Sequence, residues 1–216
     1  MYRIVFLLLS SLTILNCSGK SESKTNLPFY NEPTFTPLFL TNKAEIKAKI
    51  NHTIADFSFL NQDSIVIDQS IIEDKIHIAN FIFTSCASIC PIMTKNMKIV
   101  SDSLQKDNDI IFLSYSVTPW IDKPEVLKKF KENYGIKNKN WHFFTGLKSE
   151  IYSLARQSYF AEEDIGFSKD STEFLHTEHF ILVDKCKRIR GIYNGTLVLE
   201  MEQLIEDINT LKQENK

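Results

Sequence analysis

Phe83-Thr84-Ser85-Cys86-Ala87-Ser88-Ile89-Cys90-Pro91 decides how this chain of 216 residues folds. Before it stands an apolar, β-branched run, Ile76 to Phe83, of the length and character of a buried strand. After it Met93, Met97, Val100 and Leu104 recur at helical spacing, with Pro91 in the opening turn. Two thiols therefore sit where a strand feeds a helix. A helix N-terminus carries partial positive charge and unpaired N–H groups, which stabilise a thiolate. Thiol pKa values at such positions fall from about 8.5 to between about 3.5 and 7.5. The spacing, Cys-x3-Cys, is one residue longer than the Cys-x2-Cys redox motif, yet both sulfurs can still face one point in space. They can close a disulfide or hold a soft metal ion between them. Two buried thiols, or one structural disulfide, is the plainer alternative.

Working outward, the first residues decide which redox compartment these thiols meet. Arg3 is followed by Ile4-Val5-Phe6-Leu7-Leu8-Leu9, an apolar core too short to span a bilayer and suited to a signal peptide. Leu12-Thr13-Ile14-Leu15-Asn16-Cys17 then resembles a bacterial lipobox, cut before a cysteine that becomes lipid-modified, with Asn16 in place of the usual small residue. The alternative is an ordinary signal peptide with Cys17 a chance thiol. The chain thus divides into a signal peptide over 1–16, a lipid-anchored tether and connector over 17–50, and one domain over 51–216. Residues 18–26 are small and polar, as a flexible tether requires. Export places the domain in the cell envelope facing the periplasm, where an oxidising environment lets Cys86 and Cys90 cycle between dithiol and disulfide.

Composition mainly excludes. Lys and Arg number 25 against 27 Asp and Glu, a formal net charge of −2, and no basic stripe offers nucleic acid a footprint. No second apolar stretch approaches the roughly 20 residues of a spanning helix, so the membrane is met through the lipid anchor only. Neither internal repeats nor Gly-rich phosphate loops occur. The 16 phenylalanines suit an aromatic core.

Farther along, Ala55 to Phe59 alternates, Asn61-Gln62-Asp63-Ser64 turns, and Ile65-Val66-Ile67 follows, which predicts a hairpin. Strands are expected at Asp109 to Val117 and Trp141 to Thr145, and a closing hairpin at Phe180 to Asp184 and Ile189 to Tyr193. Helices are expected from Pro124 to Tyr134, with Gly135 as the stop, from Ser149 to Phe160, and from Leu199 to Leu211. The order predicts an α/β domain: a central mixed sheet flanked by helices, with an N-terminal hairpin extension. A cysteine pair at a strand-to-helix turn in this layout matches the thioredoxin-like fold.

Two thiolates leave a soft metal short of a ligand, so the five histidines need ranking. His52 in the connector and His77 at the start of the buried strand read as surface or strand-edge residues. His142 reads as core or rim. His176 and His179 flank the entrance to the last hairpin. In an extended chain they point to opposite faces, which argues against both holding one metal. His176, in the loop before the strand, is placed to swing toward the cysteine turn.

The stretch Phe81 to Met93, with Phe83-Thr84 and Cys86-x3-Cys90-Pro91, resembles the signature of the Sco/SenC family, copper proteins of cytochrome c oxidase assembly. His176, four residues before the apolar strand Phe180-Ile181-Leu182-Val183-Asp184, is similar to that family's second landmark, whereas His179 is not. Ser116-Val117-Thr118-Pro119 through Lys123-Pro124-Glu125 resembles the segment between the family's second strand and second helix. The resemblance spans roughly residues 54 to 211. It implies a thioredoxin-like fold with copper, as Cu(I) or Cu(II), held by Cys86, Cys90 and His176. It further implies delivery to the oxidase subunit carrying the CuA site, and a thiol reductant partner that keeps the pair reduced. Thr118 stands where that family usually has Asp, Leu175 precedes the histidine where Asp is common, and Cys186 occupies a hairpin turn as an odd thiol. A thiol-disulfide reductase acting on partner cysteines is the rival reading. His176 separates the two, since a reductase has no use for it.

Overall fold

The computed structural model describes residues 26–161 and 177–214. In chain order come β1 (Phe29–Tyr30), β2 (Pro37–Leu38), α1 (Lys43–Lys49), β3 (Ser58–Asn61) and β4 (Val66–Asp68). Then follow β5 (Ile76–Ile82), α2 (Ile89–Ser103), β6 (Ile110–Ser116), α3 (Pro124–Asn133), β7 (Trp141–Thr145) and α4 (Lys148–Ser153). The hairpin β8 (His179–Val183) and β9 (Ile189–Asn194) leads to α5 (Val198–Glu214). One sheet holds all nine strands in the order β2-β1-β9-β8-β5-β6-β7-β3-β4. At its centre β5, β6 and β7 run parallel, while β8 pairs antiparallel with β5. This is the mixed, helix-flanked sheet of the thioredoxin-like expectation, and β3–β4 is its hairpin extension.

Every residue of β5 and β6 is buried, because helices cover both faces. On one face α2, α3 and α5 press Met93, Met97, Leu127, Met201 and Leu204 onto Ile76, Ile78, Ile82 and Phe112. On the other, α4 and the turn after it press Ile151, Tyr152, Ala155 and Tyr159 onto Ala79, Phe81, Leu113 and Tyr115. The alternation of strand side chains separates these two cores. The parallel strands all end on one edge, and the segment Phe83–Cys90 leaves from that edge into α2.

Three features differ from expectation. Residues 29–50, read as a surface connector, extend the sheet: β1 pairs with β9, and Phe29, Leu40 and Ile50 form a small core of their own. The helix after β7 changes pitch, with Leu154–Ser158 forming a π-type turn closed by Tyr159 N–H to Leu154 O at 3.2 Å. Its apolar positions Ile151, Leu154 and Ala155 do face inward. Finally, His77 is not at the surface. It lies inside β5, between β6 and β8, fully buried, with Nε2 3.1 Å from the Tyr159 hydroxyl. A strand paired on both edges leaves no wet position for it. His52 is half-buried as well, its Nε2 2.8 Å from Ser158 O and its ring stacked on Phe160.

Candidate metal centre

Phe83 ends the buried run, and Cys86 N–H closes a turn on Phe83 O at 3.3 Å, which starts the path into α2. Cys86 is half-buried and Cys90, in the first turn of α2, is buried; both are free thiols. Burial by itself raises the Cys86 thiol. The backbone N–H groups of Cys90, Ser88 and Ile89 and the Cys90 thiol donate to its sulfur, and together they bring it below its ordinary value. These are the orphan donors of a helix start. Cys90 goes the other way. Burial, opposed next by a hydrogen bond with the Phe83 backbone and then joined by the hydrogen bond to the Cys86 sulfur and the charges of Cys86 and Asp122, pushes it up to about 12. One sulfur thus accepts hydrogen bonds that favour its thiolate form, and its neighbour is a thiol that donates to it.

A buried carboxylate holds this turn in place. Asp122, fully buried, accepts from Thr84 N–H at 3.2 Å and Thr84 Oγ1 at 2.6 Å, from Ser116 Oγ at 2.6 Å and from Thr118 Oγ1 at 3.0 Å. The end of β6 and the loop after it are thereby fastened to the residue two places before Cys86. Thr118, the position that departs from the family pattern, contributes a donor to this carboxylate. Sequence reasoning passed over Asp122. The signal available was the run Ser116-Val117-Thr118-Pro119-Trp120-Ile121-Asp122, two hydroxyls spaced around one acid. Tyr134, also unforeseen, lies beside the pair: burial, then the charges of Cys90 and Cys86, raise its hydroxyl above its ordinary value.

Cys86 and Cys90 are therefore brought together. Cys17 and His176 lie outside the described residues. His179 opens β8, paired with Asn194, and its ring meets Phe35 edge-on at 6.1 Å. It shares strand parity with Ile181 and Val183, which belong to the core under α4, whereas Cys86 and Cys90 belong to the core under α2. His142, half-buried in β7, stacks on Phe144. Among the described residues no group of three or more His, Cys, Asp or Glu is arranged to hold a metal, so the pair supplies two donors.

Comparison with known proteins agrees with the motif. Residues 46–213 match the family model described as SCO1/SenC. The chain belongs to the SCO1/SenC family. An SCO1 protein homolog of Bacillus subtilis (strain 168) is 34% identical over 168 residues, covering 77% of this chain and 86% of that protein. A SCO1/SenC family lipoprotein from Bacillus anthracis superposes with a TM-score of 0.65 at 28% identity, covering 76% of this chain and 96% of that one. BsSco, described as a member of the Sco family of cytochrome c oxidase assembly proteins with a disulfide switch, superposes with a TM-score of 0.62 at 32% identity, covering 75% and 94%. ScoI of Bradyrhizobium japonicum, solved with copper bound, shares the fold at 20% identity and a TM-score of 0.58, over 74% of this chain and 98% of that one. In this SCO1/SenC chain the cysteine turn, its helix start and its carboxylate anchor form the chemical centre of the described fold. No helix among the described residues is long and apolar enough to cross a membrane.

Proposed function

We propose that this protein is a lipid-anchored copper carrier of the cell envelope, facing the periplasm, that delivers copper to the CuA centre of cytochrome c oxidase. The observation that carries the reading is the paired sulfurs at the start of α2, Cys86 brought below its ordinary value by helix N–H groups and Cys90 buried against it. Thiolates suit Cu(I), which is soft, and a site with an added imidazole also tolerates Cu(II). Zinc ordinarily takes four ligands. Cys86 binds first as the available thiolate, and Cys90 gives up its proton as it becomes the second ligand. His176, as a neutral imidazole, is the third. Copper is cargo here, so a site of few ligands favours handover. The family membership, the copper-bound ScoI and the oxidase-assembly role described for BsSco support this reading. The lipobox-like Leu12 to Cys17 supports the anchor.

The thiolate–thiol asymmetry also favours a second reading, a thiol-disulfide reductase. The Cys86 thiolate would attack a partner disulfide, forming a mixed disulfide and releasing one partner thiolate. Cys90, losing its proton, would then attack Cys86 Sγ and release the second. The partner gains two electrons, the pair becomes a disulfide, and a separate thiol reductant restores it.

Titration with copper decides. Reduced protein is expected to take up about one copper per chain, as one soft-ligand site requires. Cys86→Ser and Cys90→Ser each abolish tight binding, His176→Ala weakens it, and His179→Ala changes little. A damaging His179→Ala with a silent His176→Ala would overturn the ligand set. Oxidase activity fully restored by His176→Ala in cells lacking the native protein would hand the assignment to the reductase. Cys17→Ala releases the full-length protein from membranes or leaves it unprocessed.

A further inference from the structure

At the end of the sheet opposite the cysteine turn, a cavity of about 740 Å³ opens between α1, the turn of the last hairpin and the end of α5. Its floor is apolar: Phe29, Leu40 and Ile50 are buried, and Ile46 packs half-buried against them. Its rim is cationic. Lys43, Ile46, Lys47 and Ile50 share one side of α1 and its cap, spaced i, i+3, i+4 and i+7, and all four line the cavity. Arg188 and Arg190 line it too, but their charge is already met. Arg188 pairs with Asp184 at 2.7 Å, and Arg190 with Glu214 at 2.8 Å. Lys43 and Lys47 are exposed and have no carboxylate partner among the described residues. Glu45, the one acid of α1, is taken by Lys49 at 2.6 Å. Like charges one helical turn apart repel, and no contact among the described residues offsets that cost here.

We propose that this cavity seats an anionic phospholipid of the bilayer surface, its phosphate on Lys43 and Lys47 and its glycerol ester against the apolar floor. The inference rests on the lipid-anchored reading of the chain and adds to it a second contact, one that reads the headgroup.

Position favours a bilayer as the source of the anion. Asn26, the first described residue, itself lines the cavity, so the preceding chain arrives there. Asn26 lies nine residues beyond Cys17, and that stretch fully extended reaches roughly 30 Å from an acyl anchor. The tether sets reach and not direction. Direction comes from the two ammonium groups, each of which raises partition onto an anionic surface by about fivefold. Residues 17–25 are a poor occupant of their own, since they carry Lys20 and Lys24 against Glu22, a net charge of the same sign as the rim. A second copy of the chain is also disfavoured, because a symmetric contact sets Lys43 and Lys47 near their own equivalents.

Cys186 is an exposed thiol lining the same cavity, so its alkylation reports whether the cavity is filled. The full-length chain is reconstituted into vesicles of phosphatidylcholine alone or mixed with phosphatidylglycerol, and mass spectrometry follows labelling of Cys186 by neutral iodoacetamide. Labelling is expected to slow about fivefold or more when phosphatidylglycerol is present. The Lys43→Gln/Lys47→Gln double variant loses that protection, whereas Lys49→Gln, on the same helix but paired with Glu45, keeps it. Copper uptake by the double variant equals that of the wild type, which shows a folded domain. A slowing that survives in the double variant reflects the acidity of a charged bilayer surface and would overturn the proposal. Protection by inorganic phosphate or by a poly-glutamate peptide, with none from the lipid, would also overturn it and assign the cavity to a soluble anion or an acidic protein. Flotation separates the cavity from the anchor. Wild type that floats with pure phosphatidylcholine, but labels equally in both vesicles, keeps the anchor and sinks the cavity. Wild type that floats only with phosphatidylglycerol, and through the two lysines, upholds the cavity and sinks the anchor. Flotation with neither, without protection, sinks both.

Discussion

Cys86 and Cys90 are chemically unlike although they flank the start of one helix. Helix N–H groups aim at the first, and burial encloses the second. At pH 7 iodoacetamide is therefore expected to label Cys86 faster than Cys90 by about tenfold or more, because the thiolate is the reacting species. Mass spectrometry of partly alkylated protein checks the order, and Cys90 labelled first would contradict it. His77 allows a second prediction at this scale. Burial, then the charge of Lys187, lower its pKa from 6.5 to about 3. The folded protein thus binds fewer protons than the unfolded chain between those values. The stability is fully present above about pH 6.5 and is lost progressively as pH falls toward 3. The full loss attributable to this imidazole is up to about 5 kcal/mol. His77→Phe is expected to flatten the acid limb of a urea-stability profile over that window. An unchanged slope would show that His77 is not the group responsible.

Among the elements, the connection from β5 into α2 depends on a carboxylate from elsewhere. Asp122→Ala removes the acceptor for Thr84 N–H and for three hydroxyls, and is expected to cost about 2–4 kcal/mol by urea unfolding. Asp122→Asn, which keeps a carbonyl oxygen, costs less. The strand–turn–helix itself was legible in the sequence, since an apolar run followed by helical spacing admits few other readings. Asp122 was not, because Thr84, the donor that ties it to the cysteine turn, lies 38 positions away and the acid alone resembles any loop aspartate. The same reason hid residues 29–50. The helix α1 buries none of its residues, and β1 and β2 have two residues each, so no apolar period marks them. His77 was misread because its covering partner, Tyr159, lies 82 positions away. The π-type turn at Leu154–Ser158 carries the same apolar spacing as the α-helix before it, so sequence does not reveal the change of pitch. The Cys86–Cys90 half of the candidate site follows from local pattern, whereas His176, the third ligand that the resemblance implies, lies outside the described residues.

Across the whole molecule the sheet has two ends with different work. The cysteine end carries the chemistry, and the far end holds the fold closed through one guanidinium. Arg190 is buried, and its Nη1 pairs with Glu214 Oε2 at 2.8 Å in the last turn of α5 and with Asp184 Oδ2 at 3.4 Å in the β8–β9 turn. Its Nη2 and Nε donate to Leu27 O at 2.7 Å and Pro28 O at 2.9 Å, and it lies 3.9 Å from the Phe29 ring centroid. The start of the described chain, the last hairpin and the last helix thus meet on a planar cation that lysine's point charge cannot replace. Arg190→Ala leaves Asp184 with Arg188 at 2.7 Å but strips Glu214, Leu27 O and Pro28 O of this partner, and is expected to destabilise by about 2–4 kcal/mol. Arg190→Lys is expected to recover only part of that loss. Hydrogen exchange should localise the effect: amides of β1, β2 and α1 exchange faster, because Arg190 fastens that segment to β9 and α5. The alkylation rate of Cys86 should stay unchanged, since the pair lies at the opposite end of the same sheet. Faster labelling of Cys86 in Arg190→Ala would mean that the two ends open together and that the far end guards the thiols as well as the fold.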